Sequence, residues 1–160
     1  MKLYHGSTVR IERPDTAHSR RNLDFGSGFY LTSHQAQAER WAKRKAALEK
    51  AVPYVNVYEF NEDVQGLSFL ALSDNDASWV EFVCRCRKGS DEFKRNDVIV
   101  GGVADDKVFE AVNMYYRGLW DMETTLEALR YYEKNDQYCF TSQRAIDAAL
   151  SFVESYEVAS

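Results

Sequence analysis

The sequence predicts an α+β domain with split or antiparallel sheets. Short β-prone runs are interspersed with amphipathic helical stretches, without the regular strand–helix–strand alternation that builds a parallel sheet. The chain has two prolines, and it contains no internal repeat and no low-complexity tract that would serve as a linker. At 160 residues it is long enough to bury a substantial core, so we expect one domain over residues 1–160.

The first part of the chain predicts three strands and a long helix. In order, the elements are a strand at 2–5, a polar loop at 6–24, a strand at 28–32, a helix at 34–50 and a strand at 55–60. The loop is rich in turn residues, and we expect it to lie over a ligand. Ser33 is the expected cap of the helix, which places Trp41 two turns beyond Tyr30.

The second part predicts more helix than strand. In order, the elements are helices at 76–88, 105–117 and 122–134, which surround a strand at 97–102, and then a strand at 137–141, a helix at 142–152 and a strand at 153–158. Asp74 or Asp76 is expected to cap the first of these helices, and Asp105 begins the second. Thr141 or Ser142 is the expected cap of the last helix.

Charge and cysteine content limit the classes of function. The net charge of -5 argues against a large basic face that holds duplex DNA through its phosphates. Local basic patches are predicted at Arg20-Arg21 and on the helix at 40–45. The odd count of three cysteines points to a reducing compartment, and Cys84-x-Cys86 without a matching pair is a poor zinc site, so no metal is expected. Without a leader or an apolar run of about 18 residues, the sequence predicts a cytoplasmic protein that does not enter a membrane.

Two short strings carry the chemistry of the chain. Leu3-Tyr4-His5-Gly6-Ser7 and Gly28-Phe29-Tyr30-Leu31-Thr32 are apolar strands that each contain a glycine and a polar or aromatic side chain. His5 offers ring nitrogens, Gly6 exposes an N–H and a C=O without a Cβ, and Tyr30 supplies a flat face. Together these groups suit an aromatic amide.

At these residues the sequence resembles the ADP-ribosyltransferases of the class that includes diphtheria toxin and the poly(ADP-ribose) polymerases. The resemblance covers His5-Gly6-Ser7, the stretch at 25–30 and Trp41. More narrowly, the layout resembles a small bacterial family of the DUF3990 kind, often found beside toxin–antitoxin genes. This resemblance implies split β-sheets around an NAD cleft, with flanking helices.

The resemblance also implies roles for individual residues. Gly6 would pin the carboxamide of NAD through its main chain, His5 would hold a ribose hydroxyl, and Tyr30 and Trp41 would enclose the nicotinamide. Ser7 or Thr8 would bond the amide or a hydroxyl. Arg20 would lie beside the cleft, and Phe25 would line the pocket or pack beneath it.

The chain departs from the family pattern at one position. Where the resemblance implies a glutamate near the start of a late strand, this chain has Gln137, which keeps an acceptor oxygen but does not ionise. This is compatible with transfer of a single ADP-ribose to a reactive acceptor rather than with polymer elongation. Glu133 and Asp136 are stand-ins in sequence, although a helix-end or turn carboxylate is the expected role of each.

Three functions follow as hypotheses. The first is an NAD-dependent mono-ADP-ribosyltransferase with catalytic His5, Tyr30 and Gln137, which modifies an unknown protein or nucleic acid and acts as a bacterial toxin restrained by an antitoxin. The second is a non-catalytic module that binds NAD, ADP-ribose or a nucleotide. The third is an interaction domain that meets a protein partner through Tyr115, Tyr116 and Trp120.

Overall fold

The computed structural model describes residues 1–73, 76–133 and 135–159. Its elements, in chain order, are β1 (Lys2–Ser7), β2 (Phe29–Leu31), α1 (Gln35–Glu49), β3 (Tyr54–Phe60), β4 (Phe69–Ala71), α2 (Ala77–Arg87), a short 3-10 helix (Glu92–Arg95), β5 (Val98–Gly102), α3 (Asp106–Tyr116), α4 (Met122–Leu129), β6 (Asp136–Phe140), α5 (Gln143–Ala149) and β7 (Leu150–Glu157). The α+β class is confirmed.

The strands form two small sheets. The first is antiparallel, in the order β1-β3-β7, and the second is mixed, in the order β2-β6-β5-β4, with β4 parallel to β5. Among the described residues a single bridge joins them, in which the backbone N–H of Tyr4 donates to Thr32 at 2.8 Å and that of Thr32 donates to Tyr4 at 2.9 Å. Beyond this bridge β1 and β2 separate, and the space between them becomes a cleft.

The helix caps follow the sequence at most positions. The side chains of Asp76, Asp105 and Ser142 each accept a hydrogen bond from the first turn of the helix that they precede. The predicted Ser33 cap is wrong: His34 occupies the N-cap position without a side-chain bond, and Ser33 donates to Asp136 instead. The alternative cap Asp74 lies outside the described residues.

Two predicted helices are shorter than expected, and one strand was not predicted. Helix α4 ends at Leu129, before the predicted end at 134, and Lys134 lies outside the described residues. The predicted helix at 142–152 ends at Ala149, because Leu150 already pairs with Phe60 in the first sheet. Strand β4 was not predicted, since its three residues give too short a pattern to recognise.

The core consists of two large clusters and a minor one, between α1 and the first sheet, that includes Ala38 and Val55. The larger lies between the second sheet and helices α2 to α4, and it includes Phe25 and Trp79, both fully buried. The second large cluster lies between the sheets around Tyr58 and Phe140. Cys84, Cys86 and Cys139 are buried free thiols, and burial raises the pKa of Cys86 and of Cys139 to about 12.

The aromatic residues of the interaction-domain hypothesis divide between core and surface. Tyr115 and Trp120 pack against the larger cluster, whereas Tyr116 is 43% exposed. Within the described residues, no helix has both the length and the apolar character needed to cross a bilayer.

The loop between β1 and β2 is fastened to the first sheet. The buried side chain of Asn56 accepts a bond from the N–H of Ile11 at 2.8 Å and donates to the carbonyl of Val9 at 3.0 Å. The hydroxyl of Tyr58 donates to the carbonyl of Ile11 at 2.6 Å. Because these bonds satisfy polar groups inside the fold, the first part of the loop has a defined path along the cleft.

At Gly6, strand β1 lies close against the backbone of helix α1. A Cβ on Gly6 would lie 2.2 Å from the carbonyl oxygen of Ala38 and 2.7 Å from the backbone nitrogen of Ala42. Backbone atoms of a helix cannot move aside as a flexible side chain can. The glycine is therefore required for α1 to pack on the strand.

We predict that Gly6→Ala lowers the free energy of unfolding by about 1–3 kcal/mol, because the new methyl group overpacks the contact with α1. The matched control is Gly118→Ala, where the added Cβ meets open space and the positive φ of 75° alone costs about 1 kcal/mol. Urea unfolding of both variants measures the difference. A loss at Gly6 no larger than that at Gly118 would contradict this account.

Candidate functional site

A cavity of about 920 Å³ lies where the two sheets separate. Its walls come from β1, the loop that follows it, β2, the middle of α1, the end of α2 and strand β6. Of the eight predicted site residues, seven line it: His5, Gly6, Ser7, Arg20, Tyr30, Trp41 and Gln137. Positions spread over more than 130 residues of sequence therefore meet in one place, and the volume lies within the range of small-molecule sites.

Phe25 does not line the cavity. Its ring is fully buried in the larger core cluster, 6.0 Å from the ring of Phe82 in an edge-on contact. It therefore packs beneath the site, which is the second of the two positions expected for it.

His5 is held as a neutral ring. Its Nδ1 lies 2.6 Å from the carbonyl oxygen of Tyr30, and its ring stacks on Phe29 with centroids 4.4 Å apart. A carbonyl only accepts, so Nδ1 carries the proton and Nε2 is left as an acceptor. Burial is the main cause that lowers the pKa of His5 to about 4; the hydrogen bond to Tyr30 opposes it, and the charge of Lys45 acts in the same direction as burial. No hydrogen bond to Nε2 is found within the described residues.

The main chain of Gly6 faces the cleft. Tyr4 uses its N–H and C=O for the bridge to β2, and in an antiparallel ladder groups two residues further along point the same way. The N–H and C=O of Gly6 therefore point away from β3, toward the space that opens between β1 and β2. The described residues provide no partner for them there.

A second polar group in the cavity is the hydroxyl of Ser7. Its side chain is 1% exposed and lines the cavity, and its Oγ has no hydrogen-bond partner within the described part of the chain. Buried hydroxyls are nearly always satisfied, so this oxygen is a candidate contact for a polar group of a ligand.

Two aromatic residues, Tyr30 on β2 and Trp41 on α1, line the cavity. The hydroxyl of Tyr30 accepts from the N–H of Phe25 at 3.0 Å and donates to the carbonyl of Gly26 at 2.5 Å, and burial raises its pKa. The hydroxyl therefore makes both of these hydrogen bonds within the turn at 24–26, so the ring of Tyr30 is the part left to contact a ligand. Trp41 is partly buried on α1 and lines the same cavity.

Gln137 belongs to a polar network that the sequence did not predict. Its Nε2 donates to Oδ2 of Asp24 at 3.0 Å and to the carbonyl of Gly102 at 3.1 Å. Asp24 also accepts from the N–H of Ala104 at 3.1 Å and forms an ion pair with Arg87, whose Nε lies 2.8 Å away. Asp24 and Arg87 both line the cavity.

Asp136 and Glu133 lie outside this network. The carboxylate of Asp136 accepts from Thr32 Oγ1 and from the N–H of Ser33, both at 2.9 Å, and from the Ser33 hydroxyl. It therefore fastens the turn between β2 and α1, the turn role expected of it. Glu133 is exposed.

The cavity carries more positive than negative charge, although the chain is acidic. Its charged lining consists of Arg10, Arg13, Arg20, Arg44, Lys45 and Arg87 against Glu12, Asp15 and Asp24. Arg10 pairs with Glu12 at 2.8 Å. The sequence indicated the basic residues at Arg20 and on α1. It did not indicate that Arg87, at the end of α2, would join them. No group of metal-ligating side chains is found in the described ranges.

We predict that His5 stays uncharged in the folded protein well below pH 6.5, its ordinary pKa. Because the folded pKa is lowered to about 4, the unfolded chain binds a proton that the folded chain does not, and stability falls between pH 6.5 and about 4 before levelling off. An NMR titration of the ring, with the urea-unfolded chain as reference, measures the two pKa values. A folded-state pKa near 6.5 would contradict this prediction.

Comparison with known proteins gives one match. Residues 1–152 match the model of the family described as "Protein of unknown function (DUF3990)". No curated protein and no solved structure matches the chain. Because the match covers most of the sequence, the chain belongs to the DUF3990 family.

Proposed function

We propose that the protein is an NAD-dependent mono-ADP-ribosyltransferase of the ADP-ribosyltransferase superfamily. The observation that carries the proposal is the set of unpaired polar groups on β1: the N–H and C=O of Gly6 and the buried Oγ of Ser7, with the acceptor Nε2 of His5 beside them. A carboxamide both donates and accepts, and these groups match it in kind.

The aromatic walls suit the pyridine ring of nicotinamide. Tyr30 and Trp41 line the cavity that Gly6 also lines. Stacking on aromatic faces adds about 0.5–1.5 kcal/mol for each pair beyond the burial of apolar area. The ring would be oriented by its carboxamide at one end and by these two side chains at its faces.

The positive charge of the lining suits a pyrophosphate. Arg13, Arg20 and Lys45 line the cavity and make no salt bridge within the described residues. Arginine is well suited to phosphate oxygens because its planar fork donates several hydrogen bonds. We infer that these side chains bind the diphosphate of NAD.

The chemistry needs little proton transfer from the protein. The bond between the ribose C1′ and the nicotinamide nitrogen breaks with its electron pair leaving on nicotinamide, which generates an oxocarbenium-like ribose. The acceptor attacks C1′ and loses a proton. Holding the substrate by its amide and ribose favours this transition state. Neutral His5 and the amide of Gln137 orient hydroxyls, and neither is a strong base.

We predict that His5→Ala lowers nicotinamide release from labelled NAD by about tenfold or more, because a ribose hydroxyl loses its acceptor. His34→Ala is the control, since His34 is half exposed and does not line the cavity. Chromatography of released nicotinamide measures both rates. Equal rates for wild type and His5→Ala would overturn the role given to His5.

A neighbouring pair of arginines tests phosphate binding. We predict that Arg20→Ala weakens NAD binding by about tenfold to a hundredfold, as expected for loss of a charge-assisted hydrogen bond. Arg21→Ala leaves the affinity unchanged, because Arg21 lines a separate depression of about 550 Å³. Calorimetric titration with NAD gives both constants. Equal effects at the two positions would count against a specific phosphate contact.

A second candidate function is a non-catalytic module that binds NAD, ADP-ribose or a nucleotide in the same cavity. The observation that favours it is the amide of Gln137, which cannot supply the full charge of a glutamate. Binding of NAD without nicotinamide release at stoichiometric enzyme would select this function over the transferase.

The acceptor is proposed to be an intracellular protein or nucleic acid, and the protein to be a toxin restrained by an antitoxin. Mass spectrometry of cellular protein and nucleic acid after exposure to the enzyme and NAD identifies an added ADP-ribose. Expression with and without a candidate antitoxin measures toxicity, and normal growth of the unrestrained cell would overturn it.

A further inference from the structure

We propose that Asp24 is a positioning residue that holds Gln137 as the acceptor of a ribose hydroxyl, so that the Asp24–Gln137 pair takes the place of a single glutamate. This inference rests on the proposed function, because it assigns the pair to the ribose of NAD. It is carried by the hydrogen bonds around the Gln137 side chain.

The surroundings of Gln137 fix which end of its amide enters the cavity. The two groups against it, Oδ2 of Asp24 and the carbonyl oxygen of Gly102, are both acceptors, so Nε2 must face them. The amide oxygen consequently points elsewhere. Gln137 is 4% exposed and lines the cavity, and its Oε1 has no partner among the described residues.

Both carboxylate oxygens of Asp24 accept hydrogen bonds in this position. One oxygen accepts from the guanidinium of Arg87, and the other accepts from the N–H of Ala104 and from Gln137. Arg87 is itself fixed by the ring of Phe109, whose centroid lies 3.9 Å from the guanidinium carbon. A charged acceptor on the N–H of an amide polarises the amide, which strengthens its oxygen as an acceptor.

The same contacts exclude a glutamate at position 137. A carboxylate there would face the Asp24 carboxylate and the Gly102 carbonyl, with no donor between them. Two like charges at hydrogen-bond distance cannot both stay ionised without a large cost. Glutamine at 137 and aspartate at 24 are therefore matched to one another. The negative charge is carried by Asp24, which contacts Gln137, and the oxygen that binds the hydroxyl belongs to Gln137.

Exchanging the charge between the two positions tests this pairing. The proteins compared are wild type, Asp24→Asn, Gln137→Glu and the double variant, each measured for thermal unfolding and for nicotinamide release. We expect Gln137→Glu to lower the melting temperature by several °C. The double variant should melt above Gln137→Glu, because an amide at 24 can again donate to an oxygen at 137.

The kinetic measurement separates positioning from folding. We expect Asp24→Asn to lower kcat by about tenfold or more while KM for NAD changes by less than about threefold, since the contact matters most as the ribose develops charge. The matched control is Asp97→Asn, because Asp97 is equally buried at 8% exposure and pairs with Arg144, away from the cavity. This control should leave kcat unchanged and should not rescue Gln137→Glu.

The outcomes distinguish this inference from the proposed function. If wild type releases nicotinamide and Asp24→Asn keeps its kcat, the inference is overturned and the transferase stands. If the melting temperature of the double variant is no higher than the added effects of the two single substitutions predict, the pairing is overturned. If wild type neither binds nor cleaves NAD, the proposed function fails and this inference fails with it. If Asp24→Asn alone does not fold, we expect the double variant to fold, because it restores the contact between positions 24 and 137.

Discussion

The two hydrogen bonds between Tyr4 and Thr32 join the sheets at a single point, and the site depends on that point. Strands β1 and β2 are held together there and nowhere else along their described length by backbone bonds. Past the bridge the edge of β1 is free, so polar main-chain groups that would be paired in a continuous sheet remain available. A binding surface of bare backbone arises in this way from an interrupted sheet rather than from a special loop.

Much of this arrangement could be predicted from the sequence, because its signals are local. The apolar strings around His5 and Tyr30 predict strands, and Asp76, Asp105 and Ser142 are cap residues by type and position. Residues that carried the family resemblance come together in one cavity. These features depend on residue type and spacing, which a sequence states directly.

The remaining features depend on contacts between distant segments. Gly6 looked like a residue kept small for a ligand, but the side where its Cβ would stand is occupied by α1. Asp24 carries no local signal of its role, and its contacts with Arg87 and Gln137 span 63 and 113 positions. Ser33 looked like a helix cap, but its hydroxyl donates to the carboxylate of Asp136, which lies 103 positions further along the chain. No local pattern encodes such pairings.

The buried thiols have a practical consequence for work in solution. All three cysteines lie in the interior, and burial raises the pKa of Cys84 as well as those of Cys86 and Cys139. Alkylating reagents attack the thiolate, and these groups do not ionise readily and are at most 7% exposed. A cysteine introduced on the surface would therefore be labelled ahead of the native ones, and a fluorophore could be attached at the rim of the cleft without first removing any of them.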